Sequence, residues 1–300
     1  MVPTVCSTVG HPSTQAGRGA IAQVGPSGED GAVSVSGSPI ATFDHREFPV
    51  ARAVELKGST TVSVCIPARD EQGTVGRVVA TVRDALMGRT GLVDELVVVD
   101  DGSLDATAGL AARAGARVVA SGPAGSRGEP VGTGKGGAMA AGLAATSGDL
   151  VVFLDADVTN MRPHFVSGLL GPLLARPGTV LVKGSYTRSL HGSPTGGGRV
   201  TELVAKPLLA LLFPELAGVS QPLAGETALR RSALAEIELA PGYGVEMALL
   251  LDVAARFGVG SVAQVDLGTR AHRNRPLAEL APQAREVMAA ALARAGVAVA

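Results

Sequence analysis

Two carboxylates, Asp155 and Asp157, stand directly after the hydrophobic run Leu150–Leu154. In an extended backbone, residues i and i+2 project to the same side, so a strand here would deliver both carboxylates to one place. Hard oxygen ligands suit Mg²⁺ or Mn²⁺, and such a cation can neutralise a diphosphate. A loop that uses Asp for turns and helix capping is the alternative. Acidic groups after two earlier hydrophobic runs favour the metal interpretation.

A glycine-rich segment, Gly132–Gly137, precedes an alanine-rich stretch with helical character and contains Lys135. Backbone N–H groups at a helix start can hold phosphate, and the lysine adds positive charge. The segment is not a P-loop, because Glu129 stands at its first glycine and Gly136 stands where Ser or Thr should be. It predicts a phosphate or nucleotide contact, with a plain flexible loop as the alternative.

A second anion site is predicted where Gly196–Gly198 lead into a helix. Arg199 supplies a guanidinium and Thr201 a hydroxyl, beside the N–H groups of the helix start. A glycine hinge before a helix is the alternative.

His272 and Glu246 complete the candidates. His272 follows a predicted strand, so its imidazole could join Asp157 on one metal ion. Glu246 begins a helix after a glycine-rich turn. It is interpreted either as a favourable charge at a helix N-terminus or as a carboxylate that meets sugar hydroxyls.

Alternating strands and helices must position these side chains. Residues 41–60 predict a short leading helix, and a mainly parallel sheet of βαβ units follows. Its ligand site is expected at the carboxyl ends of the strands. The predicted strands are Thr61–Ile66, Glu95–Val99, Arg117–Ala120, Leu150–Leu154, Val180–Tyr186 and Ser261–Leu267. The predicted helices are Thr74–Met87, Asp105–Ala114, Gly136–Thr146, Arg199–Phe213, Gly244–Phe257 and Leu277–Arg294.

Composition excludes several classes of protein. The chain carries 26 Lys and Arg against 27 Asp and Glu, which argues against a nucleic-acid scaffold. No apolar run reaches the ~18 residues of a membrane span, and no signal peptide is visible. Two cysteines, Cys6 and Cys65, make no disulfide framework, so a reduced cytoplasm is expected. Residues 1–40 predict a disordered tail, and residues 41–300 predict a single domain.

The motifs resemble those of the family-2-like GT-A glycosyltransferases. The segments that carry the early resemblance are PARDE (67–71), DDGSLD (100–105) and DAD (155–157). Later segments are similar to those of the glucosyl-3-phosphoglycerate synthases of actinobacteria. These are TGGGRVTEL (195–203), QPLAGE (221–226), APGYGVE (240–246) and RAHRNRP (270–276).

That resemblance implies a GT-A fold, a Rossmann-like sheet flanked by helices. Residues 61–160 would form its nucleotide-sugar half and residues 161–300 its acceptor-binding and catalytic half. It implies a retaining transfer of glucose from UDP-glucose to the 2-hydroxyl of 3-phosphoglycerate, with Mg²⁺ or Mn²⁺, by a homodimer.

The resemblance also assigns roles by motif position. The nucleotide-sugar site would comprise Pro67, Ala68, Arg69, Asp70, Glu71, Asp101, Lys135, Asp155, Ala156, Leu223, Tyr243, Gly244, Val245, Glu246, Arg270 and Arg275. The acceptor site would comprise Gly198, Arg199, Val200, Thr201 and Asn274. Asp157 and His272 would bind the metal, and Glu246, Asp157 and Lys135 would be catalytic.

Two departures from the family pattern fall in the nucleotide pocket and bear on base and donor preference. Asp101 stands where close members have Ser, and Arg69-Asp70 replaces a commoner Leu-Asn pair. Alternatives are a mannosyl-3-phosphoglycerate synthase, a polyprenyl-phosphate glycosyltransferase, a nucleotidylyltransferase and a non-catalytic nucleotide-sugar binder. A nucleotidylyltransferase would place a basic glycine-rich loop directly after the first strand, where this chain has Pro67–Asp70.

Overall fold

The fold is that of a computed structural model, which describes residues 1, 40–122, 134–190, 193–195, 198–271 and 277–298. The residues from Ile40 onward belong to one compact unit, Ser36–Ala300. Met1–Val35 forms a separate unit of which the structure describes only Met1. The predicted tail over residues 1–40 therefore lies almost wholly outside the described residues.

Nine strands of the described residues form one sheet in the order β1-β9-β6-β8-β5-β2-β3-β4, with β7 paired to β6. Most neighbours are parallel, but β8 runs antiparallel between β5 and β6, and β7 is antiparallel to β6. The strands are β1 (Ala41–Asp44), β2 (Val62–Ala68), β3 (Glu95–Asp100), β4 (Arg117–Ala120), β5 (Leu150–Phe153), β6 (Leu181–Leu190), β7 (Ser193–Thr195), β8 (Thr227–Arg230) and β9 (Val262–Arg270).

Eight helices of the described residues cover both faces of this sheet. They are α1 (Val50–Lys57), α2 (Val75–Val82), α3 (Thr107–Ala114), α4 (Gly134–Ala144), α5 (His164–Ala175), α6 (Lys206–Leu212), α7 (Val245–Phe257) and α8 (Leu277–Arg294). Helices α1, α2, α3 and α5 pack into one hydrophobic core, and α4, α6, α7 and α8 pack on the opposite face. Strands covered on both faces must be apolar throughout, which explains the unbroken hydrophobic runs.

The predicted strands and helices are all present, with shifted ends. Helix α2 ends at Val82 and continues as a π-helical turn, Arg83–Gly88. Another π-helical turn, Thr201–Ala205, precedes α6. The prediction of only a helix in residues 41–60 was incomplete, because β1 there pairs in parallel with β9 at the sheet edge.

Helix α5 escaped the sequence prediction. Its sequence is apolar all round and includes Gly168, Gly171 and Pro172. Those residues reflect close packing: a Cβ on Gly171 would lie 2.0 Å from Cγ of Phe48. A helix buried on all sides has no amphipathic period to detect.

Within the described residues, no helix is both long and apolar enough to cross a membrane.

Candidate active site

The carboxyl ends of β2, β3 and β5 meet at one edge of the sheet, and the loops that follow them build the site. The loop after β2 is bound to the loop after β3. Leu104 N donates to Asp70 Oδ1 at 2.8 Å, and Asp70 N donates to Ser103 Oγ at 3.0 Å. Glu71 N donates to Thr107 Oγ1 at 2.8 Å. Asp70 has φ of 55°, a conformation that is uncommon outside glycine and that these bonds hold in place.

Lys135 joins the strand end to helix α7. Its Nζ lies 2.7 Å from Oδ1 of Asp155 and 2.5 Å from Oε1 of Glu246. Burial alone would lower the pKa of Lys135, but the two carboxylates outweigh burial and raise it. The lysine therefore stays charged between Asp155 and Glu246, two residues of the predicted nucleotide-sugar site.

Arg270, at the end of β9, holds three carboxylates from two segments: two that follow β5 and one that precedes β8. Its Nη2 donates to Asp155 Oδ2 at 2.7 Å and to Asp157 Oδ1 at 2.9 Å, and its Nε donates to Glu226 Oε1 at 2.7 Å. Its guanidinium also lies over the ring of Tyr186, 5.4 Å from the ring centre. Burial opposes the charge of Arg270, yet Glu226 and the other acidic partners raise its pKa well above the usual value.

Arg270 therefore binds both carboxylates that follow β5, Asp155 and Asp157, from inside the protein. The arginine is only 2% exposed. Its assignment to the donor site, like the other site roles, stays a prediction.

The glycines of the predicted phosphate loop have a packing role. A Cβ on Gly136 would lie 1.9 Å from the carbonyl oxygen of Ala240, so backbone meets backbone there. Gly225 is equally restricted, because its Cβ would lie 2.1 Å from Oδ1 of Asp155. Through these contacts, helix α4 packs on the segment at Ala240, and the segment at Gly225 packs on Asp155 at the end of β5. A phosphate contact by this segment remains a prediction, and residues 132–133 lie outside the described residues.

The turn Gly242–Gly244 is fixed from the other side by helix α8. Tyr243 N donates to Glu286 Oε2 at 2.5 Å, and a Cβ on Gly242 would lie 2.1 Å from the same oxygen. The turn leads directly into α7 and thereby places Glu246 at the site, where it is 6% exposed.

Arg69 and Asp101, which both depart from the family pattern, lie close to each other. Nη1 of Arg69 lies 4.0 Å from Oδ2 of Asp101, and Ser121 Oγ donates to the other oxygen of Asp101. Pro67 and Ala68 are the last residues of β2, and Ala68 O accepts a hydrogen bond from Asp101 N at 2.9 Å. The predicted nucleotide residues of β2 and β3 are therefore adjacent.

The predicted acceptor residues lie at the start of the π-helical turn before α6. Gly198 O accepts a hydrogen bond from Glu202 N at 2.9 Å. Arg199 is exposed, whereas Thr201 is 3% exposed. Arg199 can therefore reach a ligand directly, and the Thr201 hydroxyl lies deeper.

A divalent cation fits one part of this arrangement. Asp157 offers hard carboxylate oxygens at the sheet edge, with its side chain 21% exposed. No group of three His, Cys, Asp or Glu side chains within the described residues is arranged to hold a metal ion. The predicted partner ligand, His272, lies outside those residues, as do Asn274 and Arg275.

Sequence reasoning missed Glu226 and Lys183, both buried beside the network. Glu226 is 0% exposed, and its Oε2 has no hydrogen-bond partner among the described residues. Lys183 lies on β6 and is 1% exposed. A lysine inside the hydrophobic run of a predicted strand was the available signal, because an unpaired buried lysine is rare.

A cavity of about 440 Å³ lies beside Tyr186. Its lining comprises Ser185, Tyr186, Thr187, Lys206, Ala217, Gly218, Val219, Ser220, Gln221 and Asp266. None of the predicted site residues that the structure describes lines it.

Residues 63–236 match the model of the family described as glycosyl transferase family 2. The chain belongs to glycosyl transferase family 2. It is 50% identical over 260 residues to the glucosyl-3-phosphoglycerate synthase of Mycolicibacterium smegmatis, which covers 85% of this chain and 84% of the relative. The resemblance stated from the motifs is thereby confirmed.

Solved structures agree in fold. The glucosyl-3-phosphoglycerate synthase of Mycobacterium tuberculosis, in complex with Mn²⁺, UDP-glucose and phosphoglyceric acid, matches with a TM-score of 0.80 and 47% identity, over 87% of this chain and 89% of that one. The mannosyl-3-phosphoglycerate synthase of Rubrobacter xylanophilus matches with a TM-score of 0.79 and 41% identity, over 85% and 80%. The predicted α/β fold with a mainly parallel sheet is confirmed.

Proposed function

We propose that this chain transfers glucose from UDP-glucose to the 2-hydroxyl of 3-phosphoglycerate, with Mg²⁺ or Mn²⁺. The observation that carries the proposal is the match in fold and sequence to a synthase in complex with Mn²⁺, UDP-glucose and phosphoglyceric acid. The ion-paired strand end around Asp155 supports it, because it gathers charged groups where a parallel sheet binds ligands.

On the donor side, Lys135 stays charged beside Asp155 and Glu246. A fixed ammonium at this edge can stabilise negative charge that develops on the leaving diphosphate. Glu246, held by Lys135 and by the start of α7, offers carboxylate oxygens to sugar hydroxyls.

Asp157 would hold the divalent cation, together with His272. When bound, that cation would neutralise charge on the diphosphate as UDP leaves. Arg270 holds Asp157 in place from behind, through a 2.9 Å contact.

On the acceptor side, Arg199 would bind the phosphate or the carboxylate of 3-phosphoglycerate, and Thr201 and Asn274 would add neutral contacts. The charge-assisted contact of an arginine is roughly 1.5–3 kcal/mol, about ten- to a hundredfold in affinity. We propose that the transfer retains the anomeric configuration. A homodimer in a reduced cytoplasm completes the proposal.

A mannosyl donor is the second candidate, favoured by the match to the mannosyl-3-phosphoglycerate synthase. The Arg69–Asp101 pair belongs to the predicted nucleotide site and departs from the family pattern at both positions. The donor panel must therefore vary the base and the sugar separately.

The test is a donor-by-acceptor panel with the full chain and MnCl₂. UDP-glucose, GDP-glucose and GDP-mannose are each incubated with 3-phosphoglycerate, and products are identified by mass. We expect the mass of glucosyl-3-phosphoglycerate from UDP-glucose and 3-phosphoglycerate. NMR of the anomeric proton then reports the configuration. No transfer from UDP-glucose, with or without Mn²⁺, would overturn the proposal.

Strand β5 supplies a matched pair of variants. Asp157→Ala removes the proposed metal ligand, and we expect a loss on the order of 10²–10³ in rate. Asp149→Ala removes a carboxylate at the opposite end of the same strand, where its Oδ2 accepts hydrogen bonds from Thr61 at 2.8 Å. Asp149→Ala should lower stability and leave Mn²⁺-dependent kcat nearly unchanged. Equal losses of kcat in both variants would contradict the assignment of Asp157.

A further inference from the structure

Lys183 is a buried cation that no part of the proposed reaction uses. It projects from β6 directly opposite Thr227 of β8. Its Nζ donates to the carbonyl oxygen of Ala224 at 2.6 Å and to Thr227 Oγ1 at 2.9 Å. Within the described part of the chain its hydrogen-bond partners are thus neutral oxygens.

Burying such a group is costly, so its presence needs a reason. Burial lowers the pKa of Lys183 to about 8, although the nearby charge of Glu246 acts in the opposite direction. An apolar side chain of similar length would avoid the desolvation that a buried ammonium suffers. The two hydrogen bonds that only a donor can make are what Lys183 adds.

Those bonds fix the turn Gln221–Glu226. Ala224 N donates back to Gln221 O at 3.0 Å, which closes the turn on itself. The next residue, Gly225, packs so tightly on Asp155 that no Cβ fits between them. Glu226 then accepts a hydrogen bond from Arg270 and is anchored through its carbonyl to Gly184 N at 2.8 Å.

The turn therefore forms one wall of the candidate site, where Gly225 packs on Asp155 and Glu226 binds Arg270. The charge of Lys183 lies near Glu246, the proposed sugar-binding carboxylate. Lys183 contacts this wall at the carbonyl of Ala224, the residue between Leu223 and Gly225. The carbonyl of Ala224 has a second donor, because Thr227 Oγ1 lies 3.0 Å from it. Side-chain donors hold this carbonyl where strand pairing does not.

We propose that Lys183 is a positioning residue for the glucosyl group of the donor: it holds the turn Gln221–Glu226 in the shape that receives the sugar. The loops after β2 and β3 are proposed to bind the nucleotide, and among the described residues Lys183 makes its hydrogen bonds to Ala224 and Thr227 instead. The inference rests on the proposed function, since it assumes that a nucleotide sugar binds here.

The experiment compares UDP with UDP-glucose, because only UDP-glucose carries the sugar; the charge difference at the terminal phosphate is the same for every variant and cancels in the ratio of variant to wild type. Calorimetric titrations with MnCl₂ give both dissociation constants for the wild type and for Lys183→Met, which keeps length but donates no hydrogen bond. We expect UDP affinity within about threefold of wild type. UDP-glucose affinity and kcat/KM should each fall by about ten- to a hundredfold, the effect of one lost charge-assisted bond.

Lys57→Met is the matched control. Lys57 is also a largely buried lysine on a backbone carbonyl, since its Nζ donates to Gly91 O at 2.8 Å and to Asp94 Oδ1 at 2.9 Å. It belongs to α1, and its hydrogen-bond partners in the described part of the chain, Gly91 and Asp94, are not proposed site residues. Lys57→Met should lower the melting temperature and leave the ratio of UDP to UDP-glucose affinity unchanged.

Thr227→Val keeps the proposal testable if Lys183→Met does not fold. Valine preserves the shape of threonine and removes one oxygen bound by Lys183. We expect the same selective loss for UDP-glucose, smaller than in Lys183→Met. Lys183→Gln retains a donor, so it should recover part of the lost UDP-glucose affinity.

Two failures are distinguishable. If the wild type binds no UDP-glucose, the proposed function is overturned and this inference with it. If the wild type binds and transfers glucose, but Lys183→Met and Thr227→Val weaken UDP and UDP-glucose equally or weaken neither, only the role of Lys183 is overturned.

Discussion

Replacing Arg270 by methionine should destabilise the fold more than any other single charge change at the site. The arginine is 2% exposed and contacts three carboxylates at 2.7, 2.7 and 2.9 Å. Asp155 keeps Lys135 as a partner and Asp157 is part-exposed, but Glu226 is 0% exposed and would lose the guanidinium. Breaking a buried pair from one side costs about 3–5 kcal/mol, so we expect about 4 kcal/mol in the free energy of unfolding.

The assay is urea unfolding followed by far-UV circular dichroism, at one pH and one salt concentration. Arg294→Met is the control. Arg294 also holds a carboxylate with two hydrogen bonds, to both oxygens of Asp252 at 2.6 Å. Those side chains are 26% and 27% exposed, so solvent screens the pair. We expect the control to lose about 1 kcal/mol or less.

A double-mutant cycle tests the cause of the loss. If the stranded charge of Glu226 destabilises Arg270→Met, adding Glu226→Gln should restore about 2 kcal/mol. The reasoning is refuted if Arg270→Met loses no more stability than Arg294→Met. It is also refuted if Glu226→Gln lowers stability further in the Arg270→Met background.

Three more predictions concern residues around the network. Gly136→Ala should destabilise by about 1–3 kcal/mol, because its Cβ meets the Ala240 backbone, whereas Gly178→Ala, with open space around it, should change little in the same melts. Cys65 is buried and its thiol has a pKa raised to about 11, mainly by burial. In a Cys6→Ser background, native protein at about pH 8 should therefore give no colour with a thiol reagent until urea is added. The pKa of Lys183 is lowered to about 8 in the folded protein. Above that pH, Lys183 therefore binds fewer protons in the folded state than in the unfolded state. Its contribution to stability should therefore rise by about 1.3 kcal/mol from pH 7 to pH 9, measured as the change in the wild-type minus Lys183→Met difference; a flat difference would contradict the lowered pKa.

The sequence predicted the centre of the sheet because β2, β3 and β5 are covered on both faces and read as continuous apolar runs. It could not order the strands beyond them. Strand β8 has four residues and lies antiparallel between β5 and β6, an arrangement set by contacts between distant segments. Strand β1 is an edge strand that depends on β9 for its pairing, so its local pattern carries little signal.

The site shows the same limit. Asp155, Asp157, Lys135 and Glu246 could be singled out as candidates because each stands beside a strand end or a glycine-rich turn. Glu226 and Lys183 escaped because their importance comes from partners far away in the chain. Glu226 meets Arg270 across 44 positions, and Arg270 meets Asp155 across 115. Local spacing cannot report such pairs.

The balance of charge in the network explains where a cation would bind. Among the described residues, the cations Lys135, Lys183 and Arg270 stand against four carboxylates: Asp155, Asp157, Glu226 and Glu246. Asp155 contacts both Lys135 and Arg270, and Glu246 contacts Lys135. Asp157 shares the guanidinium of Arg270 with two other carboxylates and is part-exposed at the sheet edge. A divalent cation would add positive charge where these carboxylates gather. Arg270 thus holds Asp157, for which we propose metal binding, at the sheet edge.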